Sequence, residues 1–359
     1  MSETSNKKEE KITKNCLRCG GNLEFSPKHQ AIFCCQCGTI YDIEKNKNIT
    51  KHNLQDVKDI KLEDKLFAEN NNVFNCPNCG SKLVLNKLEY TKKCPYCGSV
   101  QIKKTRINPG ISPDSIIPFK FDEEVAAEKF KQAMKKKVFA PNAFKKKPIS
   151  DNIYGIFIPT FAYDADSRTS YSGTEKIEHV HIDSNNIRRV SYSYRNFSGK
   201  FNMNHRNVLV EDSPSLNQLD LESIKPYNYN EMYKYNDDFI RGYTVEYHEH
   251  PIATCTDIAH TIMKNDINSS IRRKEGGNIV SLRTNTNFEC EKFTYYLLPA
   301  YKVEYKYKEK KYNSYVNGQT GKVGGNAPKS KIKVTFFTIF MVLLLGGLTA
   351  LFYYLSLML

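Results

Sequence analysis

Eight of the eleven cysteines fall into one pattern that the chain writes twice. Cys16-Leu17-Arg18-Cys19-Gly20 leads to Cys34-Cys35-Gln36-Cys37-Gly38, and Cys76-Pro77-Asn78-Cys79-Gly80 leads to Cys94-Pro95-Tyr96-Cys97-Gly98. Both copies read C-x2-C-x14-C-x2-C, with Gly after every second cysteine. Zn2+ prefers four tetrahedral ligands and binds thiolate sulfur at about 2.3 Å. Two intervening residues let one tight turn aim both sulfurs at the same ion. The following Gly lets the chain leave that turn through φ > 0, which is costly for other residues. Fourteen residues suffice for a short hairpin back to the metal, with Leu23–Phe25 and His29–Phe33 as strands in the first copy. Leu83–Leu85 and Leu88–Tyr90 serve in the second. So small a unit cannot hold itself by burial, and metal binding supplies roughly 10–16 kcal/mol of folding energy per site.

The expected ligands are therefore Cys16, Cys19, Cys34 and Cys37 around one ion, and Cys76, Cys79, Cys94 and Cys97 around a second. Four sulfurs saturate zinc and leave no position for water or substrate, so both ions read as structural. The competing readings are disulfides, which belong to oxidising compartments, and a redox C-x-x-C, which needs no second distant pair. Cys35 lies between two ligands and is either a spare thiol or a competitor of Cys34.

The other end of the chain is as constrained. Val334–Leu359 carries no charged residue. As a helix it is about 39 Å long, enough to cross a hydrocarbon core of ~30 Å with some tilt. Lys329, Lys331 and Lys333 precede it with no acidic residue nearby. Positive charge on the cytoplasmic side then places the amino-terminal part in the cytoplasm, as a single-pass protein anchored by its tail. No apolar stretch follows Met1, so no secretory signal is expected.

The formal net charge is +14, but its distribution matters more. Cys16–Cys37 holds Arg18 and Lys28 against Glu24. Cys76–Cys97 holds Lys82, Lys87, Lys92 and Lys93 against Glu89. Neither is the concentrated basic surface that dominates nucleic-acid affinity.

These patterns predict an α+β chain divided as follows: 1–15 disordered, 16–40 ribbon one, 41–72 linker, 73–102 ribbon two, 103–114 linker, 115–327 a β-dominated domain with about two helices, and 334–356 the membrane span. Within 41–72, Leu54, Val57, Leu62 and Leu66 suggest one weak helix. The β-rich domain opens on Ile116–Phe119. Asp122 is placed as an N-cap, and Ala126, Phe130, Ala133 and Met134 form the apolar stripe of a helix that Lys135–Lys137 closes. Tyr154–Tyr163 reads as a strand interrupted at Pro159, hence an edge strand. Residues 167–210 read as a meander of short strands. A helix over Thr256–Lys274 carries Ile258, Ile262, Met263, Ile267 and Ile271 on one side and ends at Gly276-Gly277. Strands follow at Ile279–Arg283, Tyr295–Tyr307 and Tyr312–Val316.

With these segments in view, the chain resembles a bacterial family of membrane proteins bearing transcription-factor-IIB-type zinc ribbons. The resemblance runs through the paired ribbons, IIPFKFDEEVAAEKFK (116–131), FAPNAFKKK (139–147), GIFIPTFAYDAD (155–166), YLLPAYKVEYKYKEKKY (296–312), VNGQTGKV (316–323) and the terminal span. Family members often carry Trp where this chain has Phe161. They are often labelled as a replication-restart helicase or an RNA polymerase subunit, labels that follow ribbon similarity. A helicase needs a P-loop, and no G-x4-G-K-[ST] occurs here. Gly318-Gln-Thr-Gly321-Lys322-Val323 has the wrong spacing, and Asn317-Gly318 reads as a hairpin turn.

Several other groups are candidate sites. Lys135–Lys137 and Lys145–Lys147 flank Val138–Phe144 and could meet phosphates of nucleic acid or lipid, or be a solvated helix end. His179/His181 and His248/His250 are spaced as metal pairs, without a third ligand. Cys255 and Cys290 read as ordinary buried thiols, and Asp164 and Asp166 as a turn rather than a carboxylate pair. No catalytic residue emerges. The expected role is non-enzymatic, with the ribbons as cytoplasmic docking modules for a protein partner. A membrane-tethered nucleic-acid-binding protein is the first alternative, and an enzyme within 115–327 is the second.

Overall fold

The computed structural model describes residues 15–57, 71–86, 94, 99–100, 102–105, 111–142, 153–182, 188–213, 216–248, 250–307, 310–325 and 327–358. The strands in chain order are β1 (Leu23–Ser26), β2 (Ala31–Cys34), β3 (Ile40–Tyr41), β4 (His52–Asn53), β5 (Asn71–Asn75), β6 (Lys82–Asn86), β7 (Lys103–Lys104), β8 (Ser115–Ile116), β9 (Ile153–Ile182), β10 (Arg188–Glu211), β11 (Tyr233–Lys234), β12 (Thr244–Glu246), β13 (Asn278–Tyr307), β14 (Lys310–Asn317) and β15 (Val323–Gly325). The helices are α1 (Glu123–Lys136), α2 (Gln218–Ile224), α3 (Ile252–Glu275) and α4 (Lys331–Met358), with a single helical turn at Leu54–Val57. Expected segments 1–14, Leu62, Leu66 and Leu88–Tyr90 lie outside the described residues.

The apolar run Tyr154–Tyr163 begins β9, and it lies in the middle of a sheet rather than at an edge. β9 pairs with β13 along one side and with β12 and then β10 along the other, in a twelve-stranded sheet. A strand covered on both faces needs apolar residues in succession, which is why the run does not alternate. Phe157, Phe161 and Tyr163 enter one apolar cluster, while Ile156, Ile158 and Ala162 enter the other. Pro159 is tolerated because its carbonyl accepts from Asp212 N–H, so its imide nitrogen faces that same side. There the neighbour changes from β12, paired at Ile156 and Phe157, to β10, paired from Thr160 onward. Pro299 in β13 sits at an equivalent changeover, between β8 and β14. Each proline occupies a point where no ladder N–H is demanded.

The expected meander over 167–210 is instead the far half of β9 and almost all of β10, paired continuously from Ile182↔Arg188 to Thr160↔Glu211 with one irregularity near His205. Likewise Ile279–Arg283 and Tyr295–Tyr307 belong to one strand, β13. Gly173 and Gly199 serve packing. A Cβ at Gly173 would lie 2.4 Å from the Phe197 ring, and one at Gly199 would lie 2.5 Å from the Tyr171 hydroxyl. Each glycine faces an aromatic directly across the ladder, so the ring lies over bare backbone. β10, β9 and β13 thus continue past the core as a three-stranded arm. One face of it is covered by α3 through Ile267, Ile271, Tyr171, Phe197 and Phe201.

α1 forms as its stripe predicts, burying Ala126, Phe130 and Met134, although Asp122 makes no side-chain cap hydrogen bond. α3 starts one turn earlier than expected and buries Ile252, Cys255, Ala259, Met263, Ile267 and Ile271, ending at Gly276 with φ +66°. Ile258 is 38% exposed and lies off that face. The sheet face carrying Phe157 and Tyr301 is covered by α1, by the start of α3 and by β1–β2; the opposite face is covered by α2 with Tyr227 and Met232.

Among the described residues, both cysteine-bearing units contact the β-rich body. Phe25 packs edge-on against Phe239 at 5.7 Å, its N–H donates to the Arg241 carbonyl at 3.1 Å, and the Gln30 amide donates to the Phe119 carbonyl at 2.7 Å. β6 of the second copy joins the main sheet through β12, pairing Val84 with Val245 and Leu83 with Glu246. Residues read as linker also carry pairings: β4 joins Lys292 and Phe293 of β13, and β7 joins β5. These segments look hydrophilic because they lie along the outside of the sheet, where backbone hydrogen bonds hold them.

Candidate metal centres

Three cysteine pairs close the same small loop, and Cys94 opens a fourth in the same way. The N–H groups of Cys16, Cys34, Cys76 and Cys94 reach the carbonyls of Gly21, Thr39, Ser81 and Ser99 at 2.8, 2.9, 3.0 and 2.7 Å. Gly20, Gly38 and Gly80 return their N–H to the first cysteine's carbonyl at 2.8, 3.0 and 2.8 Å, with φ of +73°, +75° and +75°. That left-handed turn swings the second cysteine back beside the first, and Gly adopts it without strain.

The sulfurs of Cys16, Cys19, Cys34 and Cys37 lie within 4.8 Å of one another, as do those of Cys76, Cys79 and Cys94. Cys97 lies outside the described residues. Cys16 and Cys37 are 3.5 Å apart, Cys19 and Cys34 are 3.5 Å apart, and Cys79 and Cys94 are 3.7 Å apart. A disulfide would bring sulfurs to about 2.05 Å, whereas tetrahedral thiolates at about 2.3 Å from one ion stand about 3.8 Å from each other. The spacing fits metal ligation, and these cysteines are unbridged. Both groups could hold a metal ion. The first cysteine of every pair is buried, Cys16 and Cys34 within the main apolar cluster and Cys76 and Cys94 against Leu83 and Ile102, and the second, where described, is exposed.

Cys34 belongs to the cluster. Cys35 points away from it, exposed beside Glu24, and partial burial with that carboxylate raises its thiol. The structure also adds a shell of hydroxyls that the cysteine pattern alone does not name. Tyr41 accepts the Leu17 N–H at 3.2 Å, and its hydroxyl lies 3.2 Å from Cys16 Sγ. That contact pulls the Cys16 thiol down to about 6. Thr39 lies 3.1 Å from Cys37 Sγ and Ser81 lies 3.2 Å from Cys79 Sγ. The signal was present in sequence: a hydroxyl residue follows Cys-Gly at Thr39, Ser81 and Ser99. Donors of this kind orient thiolates and offset their charge.

The remaining candidates separate. Asp164 takes Lys51 at 2.5 Å and the Asn207 N–H, while Asp166 takes Arg206 at 2.8 Å; both sit in β9 rather than in a turn, each neutralised by its own cation. His179 lies out on the arm, hydrogen-bonded across the ladder to Ser193. His248 and His250 meet a residue the sequence did not suggest. Asp212, with a fully buried side chain, lies 2.6 Å from His250 Nδ1 and 3.9 Å from His248 Nδ1. Burial holds His248 below the usual imidazole range. Burial also raises the neighbouring Glu211 to about 7, with the charges of Asp212 and Glu246 adding to it. Cys255 is buried and pushed up to about 12, unsuited to nucleophilic attack. Cys290, by contrast with expectation, is exposed in a bulge of β13 with φ +53°. Gly318–Lys322 forms the loop between β14 and β15, where Asn317 Oδ1 accepts from Gln319 and Thr320 N–H at 2.9 Å.

α4 is long and apolar enough to cross a membrane, and no residue in the apolar window of its span Lys331–Ser356 is buried by the rest of the chain. Lys135–Lys137 lie at its root, and Lys145–Lys147 lie outside the described residues.

Among known proteins, the chain is similar to the Uncharacterized protein YdjG of Bacillus subtilis (strain 168), with 24% identity over 351 residues, 94% of this chain and 99% of that protein. The match spans nearly the whole of both chains. No family model matches the chain, and no solved structure matches it.

Proposed function

We propose that the chain is a tail-anchored membrane protein with two structural zinc ribbons that serve as docking modules for a protein partner on the cytoplasmic side. The observation that carries this reading is the two-sided character of the cages. Their inner cysteines are buried, while the outer rims present exposed apolar side chains, Leu17 (64% exposed) and Ile40 (47%) at the first ribbon and Val100 (69%) beside the second. A saturated sulfur cage has no chemistry to offer a substrate, so the ribbons act by shape and contact. α4 supplies the anchor, and Lys329, Lys331 and Lys333 at its start favour a cytoplasmic body.

The test is photocrosslinking from positions 17 and 100 of the full chain in its native membrane. The same experiment on a Cys76→Ser, Cys79→Ser variant is read only if that variant still holds one zinc. A partner lost from position 100 alone supports docking by ribbon two, and an identical crosslink pattern removes that role. A nucleic-acid reading would draw on ribbon two and the 131–147 lysines. It is disfavoured because Lys135–Lys137 lie beside the first turn of α4.

A further inference from the structure

We infer that the end of α1 and the loop after it form a contact surface for anionic phospholipid headgroups, set at the root of α4. The inference rests on α4 being a membrane span, and goes beyond it by giving the body a fixed seat on the bilayer. In sequence, Lys135–Phe139 lies some two hundred residues from the terminal helix. The fold brings them together. The Ser330 N–H donates to the Phe139 carbonyl at 2.8 Å, and Lys333 Nζ donates to the Ala140 carbonyl at 2.9 Å and to Asn142 Oδ1 at 2.8 Å. The Phe139 ring meets Phe337, inside the apolar span, edge-on at 5.2 Å. Val138, 70% exposed, has its carbonyl 3.4 Å from Lys333 Nζ and therefore stands level with the start of the apolar run, where Ile332 is also 70% exposed.

Around these apolar tips the charge is all of one sign. Lys131, Lys135, Lys136, Lys137, Lys329 and Lys331 are exposed, and residues 129–142 and 327–342 contain no Asp or Glu. None of these six lysines is ion-paired with a described residue. Helix ends usually bear a few solvated cations for the macrodipole alone. Here a second helix beginning at the same place adds two more, and apolar side chains protrude between them. An apolar tip ringed by lysines at the level where a span enters the bilayer matches the headgroup region, where acyl chains begin and phosphates lie. Lysine stems can lie along the apolar surface while the ammonium groups reach phosphate.

The chain has no tryptophan, so a single indole reports cleanly. Val138→Trp and, separately, Phe340→Trp are placed in the full-length protein and reconstituted into nanodiscs of phosphatidylcholine alone or mixed with phosphatidylglycerol. Quenching by headgroup spin-labelled lipid is read for the first and by acyl-chain brominated lipid for the second. The expected result is quenching of the Val138→Trp indole on the anionic discs. It falls when Lys135, Lys136 and Lys137 are also changed to Gln, and it weakens with salt. Each lysine near an anionic surface is worth roughly a fivefold shift, so the three together move the docked-to-undocked ratio by on the order of 100-fold. Absence of quenching for Phe340→Trp overturns the membrane span itself. Quenching there but none for Val138→Trp overturns the lipid seat alone. Equal quenching on neutral and anionic discs overturns the role of the lysines, and so does a response of the Val138→Trp indole to single-stranded nucleic acid but not to anionic lipid.

Discussion

Tyr41→Phe removes one hydroxyl and leaves the ring that packs beside the first cysteine cage. Its hydroxyl accepts the Leu17 N–H and faces Cys16 Sγ, both at 3.2 Å. Leu17 is exposed, so water replaces that acceptor at little cost. The buried Cys16 sulfur has no such substitute on its inner side. Removing an outer-shell partner of a metal ligand typically costs 10–100-fold in affinity. Cys37 keeps its contact with Thr39 in this variant, and the backbone loops that aim all four sulfurs are untouched. The loss should therefore lie toward the lower half of that range, roughly 10–30-fold. The assay is competition for zinc by a chromogenic chelator in the full-length protein. Two ions should leave in one step from the wild type if the cages are alike. The variant should release one ion at a chelator concentration about tenfold lower, with the second unchanged. Ser81→Ala is the mirror experiment, weakening the other ion. Equal weakening of both ions by Tyr41→Phe, or unchanged release, would refute the view that this hydroxyl orients and stabilises a Cys16 thiolate in a metal cage.

Other outcomes follow from the same geometry. Cys35→Ser should leave metal content at two ions per chain and Cys34→Ser should reduce it to one, because only Cys34 faces the cluster; elemental analysis of the purified variants decides it. Phe119→Ala should cost about 3–5 kcal/mol in chemical denaturation, since its fully buried ring contacts Phe157, Tyr243 and Tyr301 where α1, β9 and β13 meet. Glu211 is held at about 7 in the folded chain against 4.5 for the free carboxyl. Below the lower value both states are protonated and nothing is lost. As pH rises the unfolded chain ionises first, and the cost to the fold grows until the folded carboxyl ionises as well. Glu211→Gln should thus stabilise by roughly 1–3 kcal/mol at pH 8 and by nothing at pH 4; a pH series of denaturation midpoints that shows a constant difference would be incompatible with this cause.

Spacing alone was enough to find the two cysteine clusters that could hold a metal ion, because a tetrahedral ion requires sulfur pairs on tight turns and the chain can meet that demand only locally. The same holds for α1 and α4. One shows a 3.6-residue stripe, and the other is a run with no charge to place elsewhere. What remained hidden depended on partners distant in sequence. Pro159 read as a mark of an edge strand, and only the changeover from β12 to β10 beside it shows why a central strand accepts it. Gly173 and Gly199 gave no sign of their role, and only the opposing rings of Phe197 and Tyr171 explain them. Asp212 carried no motif, yet burial places it against His250. Lys135–Phe139 and Lys333 gave no sign in sequence that they touch. Short-range chemistry such as ligand geometry and helical period is written in neighbouring residues, whereas strand partners and buried charges are chosen by whichever segments the whole fold brings alongside.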